Sequence, residues 1–167
     1  MSDNTLAVNT TRATELMERA LRAHIPGILK GSPGIGKSAI IKTLAKKFNL
    51  KLIDVRLAQC EPTDLNGIPF VCEATGRASY APMDIFPLEG DPVPEGYNGW
   101  LLFLDELNQA PDSIQRAAYK LLLDHEVGQK PLHKQCVKLA AGNLITDGAM
   151  VEELGTALQS RLLHLEL

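Results

Sequence analysis

The 167-residue chain is 45% hydrophobic and 22% charged, with a formal net charge of −3. That is enough chain to bury one substantial core, and it carries no overall excess of positive charge for nucleic acid or an anionic membrane. The three cysteines, Cys60, Cys72 and Cys136, form no C-x-x-C pair, so neither a zinc cage nor a disulfide framework is expected. Met1 to Thr11 has no apolar signal core, and no apolar run is long enough to span a bilayer, so the expected setting is cytoplasmic.

Residues 11–23 predict an amphipathic helix, with Ala13, Leu16, Met17, Ala20 and Leu21 at helical spacing and Thr10 or Thr11 as its cap. Pro26 and Gly27 end it. Ile28–Leu29 predicts a short strand that runs into Gly31-Ser32-Pro33-Gly34-Ile35-Gly36-Lys37-Ser38. A helix follows, burying Ile40, Ile41, Leu44, Ala45 and Phe48. Residues 51–57 then predict a strand through Leu52, Ile53 and Val55. Lys30, Lys37, Lys42, Lys46, Lys47 and Lys51 crowd this part of the chain, which suits a solvated helix face beside a phosphate site, with a basic patch for an acidic partner as the alternative.

Six of the ten prolines fall between about 60 and 99, which predicts irregular chain. Within it, Ile68 to Cys72 and Ala78 to Ala81 flank the turn-forming Ala74-Thr75-Gly76-Arg77 and predict a hairpin. Trp100 to Leu104 is wholly apolar and suits a strand buried on both faces. Pro111 to Leu123 predicts a helix with Ile114, Ala118, Leu121 and Leu122 turned inward. Val137 to Ala141 predicts a strand ending at Gly142-Asn143, followed by a short helix around 149–158 and a last strand from Leu162 to Leu167. Strands alternating with helices imply a parallel sheet covered on both faces. Right-handed crossovers gather the carboxyl ends of the strands at one edge, where ligands bind.

The chemistry-bearing motifs fall at that edge. Gly31 to Ser38 reads G-x-x-x-x-G-K-S between a strand and a helix, which is the setting of a Walker A phosphate-binding loop. A triphosphate has several negative charges to be solvated. Glycines let backbone N–H groups turn inward, the helix N-terminus adds a favourable dipole, Lys37 supplies a point charge and Ser38 a hydroxyl for Mg²⁺. Gly31, Ser32, Pro33, Gly34, Ile35, Gly36, Lys37, Ser38 and Ala39 are therefore the candidate nucleotide contacts, with ATP and Mg²⁺ as the expected ligands.

Trp100-Leu-Leu-Phe-Leu-Asp105-Glu106 reads as a Walker B strand, in which Asp105 holds the magnesium shell and Glu106 orients the attacking water. Asp64-Leu-Asn-Gly67 spells D-x-x-G, but no N-K-x-D base-reading motif follows, which argues against a GTPase. Asn143 is placed to meet the γ-phosphate or the water. Arg161, just before the last strand, cannot easily reach its own nucleotide and is placed to reach one on a neighbouring copy.

G-S-P-G-I-G-K-S, F-L-D-E-L-N-Q-A-P, A-A-G-N and A-L-Q-S-R-L, in this order, resemble an AAA+ module. D-E-L-N-Q-A-P, the helix after it, the Glu126-Val-Gly128 turn and Glu61-Pro-Thr-Asp-Leu-Asn-Gly67 are similar to the MoxR group, although Leu162 stands where that group has an aromatic. The resemblance implies an α/β/α P-loop sandwich with a parallel five-stranded sheet in the order 5-1-4-3-2, and a hairpin inserted in the second helix. It also implies a homo-oligomeric, usually hexameric ring in which Arg161 acts in trans, and chaperone-like remodelling with a von Willebrand A-domain partner. The expected organisation is an N-terminal helical segment over 1–24 and a nucleotide-binding core over 25–167, without the family's helical lid. The alternative is a nucleotide-dependent assembly or adaptor module with little turnover.

Overall fold

The structure is a computed structural model in which residues 5–144 and 161–167 are described. Its frame is a sheet of six parallel strands, and sequence alternation decides what each face buries. The strands are β1 (Leu6–Ala7), β2 (Gly27–Lys30), β3 (Lys51–Arg56), β6 (Trp100–Asp105), β9 (Cys136–Gly142) and β10 (Leu163–Glu166). Their spatial order is β1-β10-β2-β9-β6-β3.

Without β1, this is the expected order 5-1-4-3-2. The correction is a sixth strand: Leu6–Ala7 pairs with Leu165–Glu166 at the edge of the sheet. Two residues in a polar N-terminal stretch show no period of their own, so the pairing is set by β10 rather than by local propensity.

Successive residues of a strand face opposite ways. Leu29, Leu101, Phe103, Leu139, Ala141 and Leu165 therefore meet the helices α1 (Thr10–Arg22) and α2 (Lys37–Lys47), through Ala13, Met17, Leu21, Ile41 and Leu44. Ile28, Leu102, Leu104 and Ala140 face the other way, onto Ile114, Ala118, Leu121 and Leu122. The latter come from α4 (Asp112–Tyr119) and the π-helical turn Lys120–Asp124 that continues it. Each such leucine, fully buried, contributes roughly 1.5–3 kcal/mol, so the two faces clamp the sheet between helical layers.

Helix α1 is capped by Asn9 rather than by Thr10 or Thr11. The Asn9 Oδ1 accepts the Arg12 N–H at 2.9 Å, while Thr10 and Thr11 already lie inside the first turn. Its outer face is tied to α2 through Glu18, whose carboxylate accepts from Lys47 at 2.6 Å and Arg22 at 3.0 Å. Those hydrogen bonds, from Lys47 first and then Arg22, hold the Glu18 carboxyl below its usual range.

Between β3 and β6 the chain forms a short helix, α3 (Pro62–Asn66), and then the predicted hairpin of β4 (Ile68–Cys72) and β5 (Arg77–Ala81). Asp64 starts α3 by accepting the Glu61 N–H at 2.8 Å, so the D-x-x-G spelling is absorbed by a helix cap and the glycine after it. Residues 82–99 carry no helix, so the hairpin follows a five-residue helix and does not interrupt a longer one. A second small hairpin, β7 (Glu126–Val127) with β8 (Lys130–Pro131), occupies the Glu126-Val-Gly128 turn. The short helix expected around 149–158 lies outside the described residues.

Candidate active site

The carboxyl ends of β2, β6 and β9 open onto one cleft of about 350 Å³. Pro33, Gly34, Gly36, Lys37, Ser38, Ala39, Asp105, Glu106 and Asn143 line it. The loop between β2 and α2 turns because Gly34 and Gly36 take φ values of +80° and +106°, with Gly36 standing as the N-cap of α2. A side chain is strained at either position, and a bare backbone lets the amides face the cleft. The first N–H groups of α2 have no carbonyl one turn back, so the helix presents its positive end there.

Lys37 is the first residue of α2 and is 8% exposed. Its ammonium donates to the Gly31 carbonyl at 2.5 Å, the Ser32 carbonyl at 3.1 Å and Asn143 Oδ1 at 3.0 Å. A buried cation is tolerable only when its donors are used, and three oxygens do that here. Gly31 is in turn anchored across the sheet, its N–H donating to the Gly142 carbonyl at 3.2 Å. Ile35, in the middle of the loop, is 40% exposed and stands outside the cleft wall.

Strand β6 delivers the acids. Both oxygens of Asp105 are engaged: Oδ1 accepts the Glu106 N–H at 2.9 Å, and Oδ2 accepts the Ser38 hydroxyl at 3.4 Å. The Glu106 backbone is left-handed, at φ 59° and ψ 34°, which turns the chain sharply at the end of the strand and keeps its side chain beside the cleft. Such a conformation in a non-glycine residue is a local cost that the surrounding packing must offset. A hydroxyl and a carboxylate oxygen facing each other form a hard donor pair that suits Mg²⁺.

Asn108 is the residue that sequence reasoning missed. It sits in the 3₁₀ turn Leu107–Gln109, is 4% exposed, and makes two hydrogen bonds to the backbone of Asn143. In the sequence it is one letter of the D-E-L-N-Q-A-P stretch, which does not reveal that it folds back onto the residue after β9.

Arg161 lies elsewhere. It precedes β10 at the opposite end of the strands, where the Leu163 N–H donates to the Pro26 carbonyl at 3.1 Å. A four-residue strand separates that end from the cleft, roughly 13 Å at 3.3 Å per residue. Arg161 borders a separate cavity of about 430 Å³ with His24, His125 and Lys138. This cavity is larger than the cleft beside the loop before α2, but it holds none of the loop, hydroxyl or carboxylate groups described above.

Comparison with known proteins agrees with this architecture. Residues 26–162 match the family model of the AAA domain, dynein-related subfamily. A relative among curated proteins is a midasin from Giardia intestinalis, 32% identical over 151 residues. That alignment takes in 86% of this chain but only 3% of the midasin. A similar solved structure is that of a candidate ATPase from Cytophaga hutchinsonii, with a TM-score of 0.64 and 20% identity, over 98% of this chain and 47% of that one. At that identity the likeness speaks for the fold alone. Among the described residues, no helix is long and apolar enough to cross a membrane. The family match spans the glycine-rich loop before α2, the acidic end of β6 and the asparagine that follows β9, and the chain accordingly belongs to the dynein-related subfamily of AAA domains, a family of ATPases.

Proposed function

We propose that this chain is the motor core of a MoxR-like remodelling machine, binding ATP with Mg²⁺ in the cleft and coupling hydrolysis to work on a protein or other macromolecular partner. One observation carries the reading. A phosphate loop, an ammonium, a hydroxyl, two carboxylates and a carboxamide converge on one cleft at the carboxyl end of a parallel sheet.

In this mechanism the backbone from Gly31 to Ala39 wraps the phosphates, and Lys37 faces the β- and γ-oxygens. Ser38 and Asp105 hold Mg²⁺, which when bound neutralises charge that develops on the phosphate oxygens. Glu106 orients the attacking water, and Asn143 fixes the γ-phosphate end. Arg161 serves a neighbouring copy, because in its own chain it stands at the far end of the strands. A homo-oligomeric ring, usually hexameric in such assemblies, provides that neighbour. The likeness of D-E-L-N-Q-A-P to the MoxR group supports a chaperone-like role in the cytoplasm with a von Willebrand A-domain partner.

Turnover by Glu106→Gln tests the reading. The variant is expected to bind ATP and hydrolyse almost none; wild-type turnover would remove Glu106 from its role. Mixing Arg161→Ala with Lys37→Ala subunits should recover activity that neither has alone, since each supplies what the other lacks. Assembled rings that stay inactive would refute action in trans.

A further inference from the structure

We infer that Asn108 is a positioning residue for hydrolysis, its carboxamide clamping the backbone of Asn143 so that the Asn143 side chain is held against Lys37. The inference rests on the ATPase reading above. Asn108 Oδ1 accepts the Asn143 N–H at 2.9 Å, and Asn108 Nδ2 donates to the Asn143 carbonyl at 2.7 Å. A carboxamide sets an acceptor and a donor side by side, as a peptide group does in a ladder. Because Asn143 offers one donor and one acceptor, the network fixes which way the Asn108 amide points.

The clamp begins where the sheet stops. The pairing of β6 with β9 runs out at Leu104↔Ala140, and that of β2 with β9 at Lys30↔Gly142. One residue further on, Asn143 pairs with no strand among the described residues, and the Asn108 side chain supplies what a strand would have supplied. Gly142 makes room for it: a Cβ there would sit 2.6 Å from Asn108 Oδ1. With both backbone groups of Asn143 held, its Oδ1 rests 3.0 Å from the Lys37 ammonium.

The same turn carries Glu106, two residues before Asn108 and with its backbone fixed at φ 59°. The carboxylate that orients water and the carboxamide that meets the γ-phosphate are thereby held in one frame. Reactive geometry is sensitive to shifts of about 1 Å, so loosening Asn143 acts on the chemical step more than on ground-state binding.

The experiment is a double-mutant cycle on Asn108→Ala and Asn143→Ala, read as kcat and as ATP affinity. Asn108→Ala should lower kcat by roughly 10²-fold while leaving the nucleotide Kd nearly unchanged. Because Asn108 acts through Asn143, the double variant should be no slower than Asn143→Ala alone. Losses that multiply, or Asn108→Ala turning over like wild type, would overturn the inference. Should Asn108→Ala fail to fold, Asn108→Asp, which keeps the acceptor and loses the donor, takes its place in the cycle with the same expected order.

Hydrogen exchange at the Asn143 amide gives a reading that needs no turnover: slow in the wild type, fast in Asn108→Ala. A wild-type protein that hydrolyses ATP while this amide exchanges freely refutes the clamp alone. A wild-type protein that never hydrolyses ATP refutes the ATPase reading, and amide exchange then still decides whether the clamp exists.

Discussion

Replacing Gly142 by alanine adds one methyl group at the most crowded point beside the cleft. The new Cβ would lie 2.6 Å from Asn108 Oδ1, 3.0 Å from its Cγ and 3.3 Å from its Nδ2. Asn108 is buried and doubly bonded to Asn143, so it cannot step aside and keep both hydrogen bonds. Losing two such bonds costs about 1–3 kcal/mol, and overpacking a filled site costs a similar amount if the carboxamide stays. Against this, replacing glycine within a strand returns about 0.5–1 kcal/mol of backbone entropy. The net expectation is a destabilisation of about 1–2 kcal/mol, or a fall in melting temperature of roughly 2–8 °C for a chain of this length. Thermal and urea unfolding measure it, with the urea slope unchanged. Gly27→Ala is the internal control. Its Cβ meets the Met17 thioether at 2.7 Å and 3.0 Å, the far end of a flexible side chain, so it should cost less. A Gly142→Ala protein as stable as wild type, or less affected than Gly27→Ala, would refute the packing argument.

Asn9→Ala removes the α1 cap and should cost about 1 kcal/mol in urea unfolding, whereas Thr11→Ala should cost markedly less. Lys138 is buried with its ammonium on the Leu122 carbonyl at 2.7 Å, and burial lowers its pKa from 10.5 to about 8. The folded chain therefore releases this proton before the unfolded chain does. The resulting penalty is full below about pH 8 and fades as pH rises toward 10.5. Relative to Lys138→Met, the wild type should gain stability across that window by on the order of 2–3 kcal/mol, and identical pH profiles would refute the assignment. Among the cysteines, hydrogen bonds with Thr75 lower the Cys72 pKa, while burial raises that of Cys60 and pushes Cys136 up to about 12. Alkylation of the folded chain near pH 8 should follow Cys72, Cys60, Cys136, read by mass spectrometry.

What the sequence disclosed depended on how local the cause was. The loop between β2 and α2 is legible because its glycines, lysine and hydroxyl follow one another within a short stretch between a strand and a helix. β6 is legible because five consecutive apolar residues suit only a strand covered on both faces. The hairpin at 68–81 is legible from its turn residues. By contrast, β1 exists through its pairing with β10, almost the whole chain away, and no two-residue pattern could announce it. The cap of α1 lies one or two residues before Thr10 or Thr11 because Asn9, Thr10 and Thr11 are all competent caps, and only the backbone angles decide among them. Asn108 escaped for a related reason. Its role is a contact 35 residues away, and an isolated asparagine reads as a turn former.

The parallel sheet also explains why the residues read as one motif set divide between two places. With every strand pointing the same way, whatever follows a strand lies at one edge and whatever precedes one lies at the other. Asp105 ends β6, while Lys37, Glu106 and Asn143 follow β2, β6 and β9, and all four meet in one cleft. Arg161 precedes β10, so the topology that assembles the cleft also excludes this arginine from it. A single copy cannot bring the two edges together without breaking the sheet. Because the strands share one polarity, Arg161 stands outside the cleft of its own chain, and the subunit-mixing experiment is what decides the proposed role in a neighbouring copy.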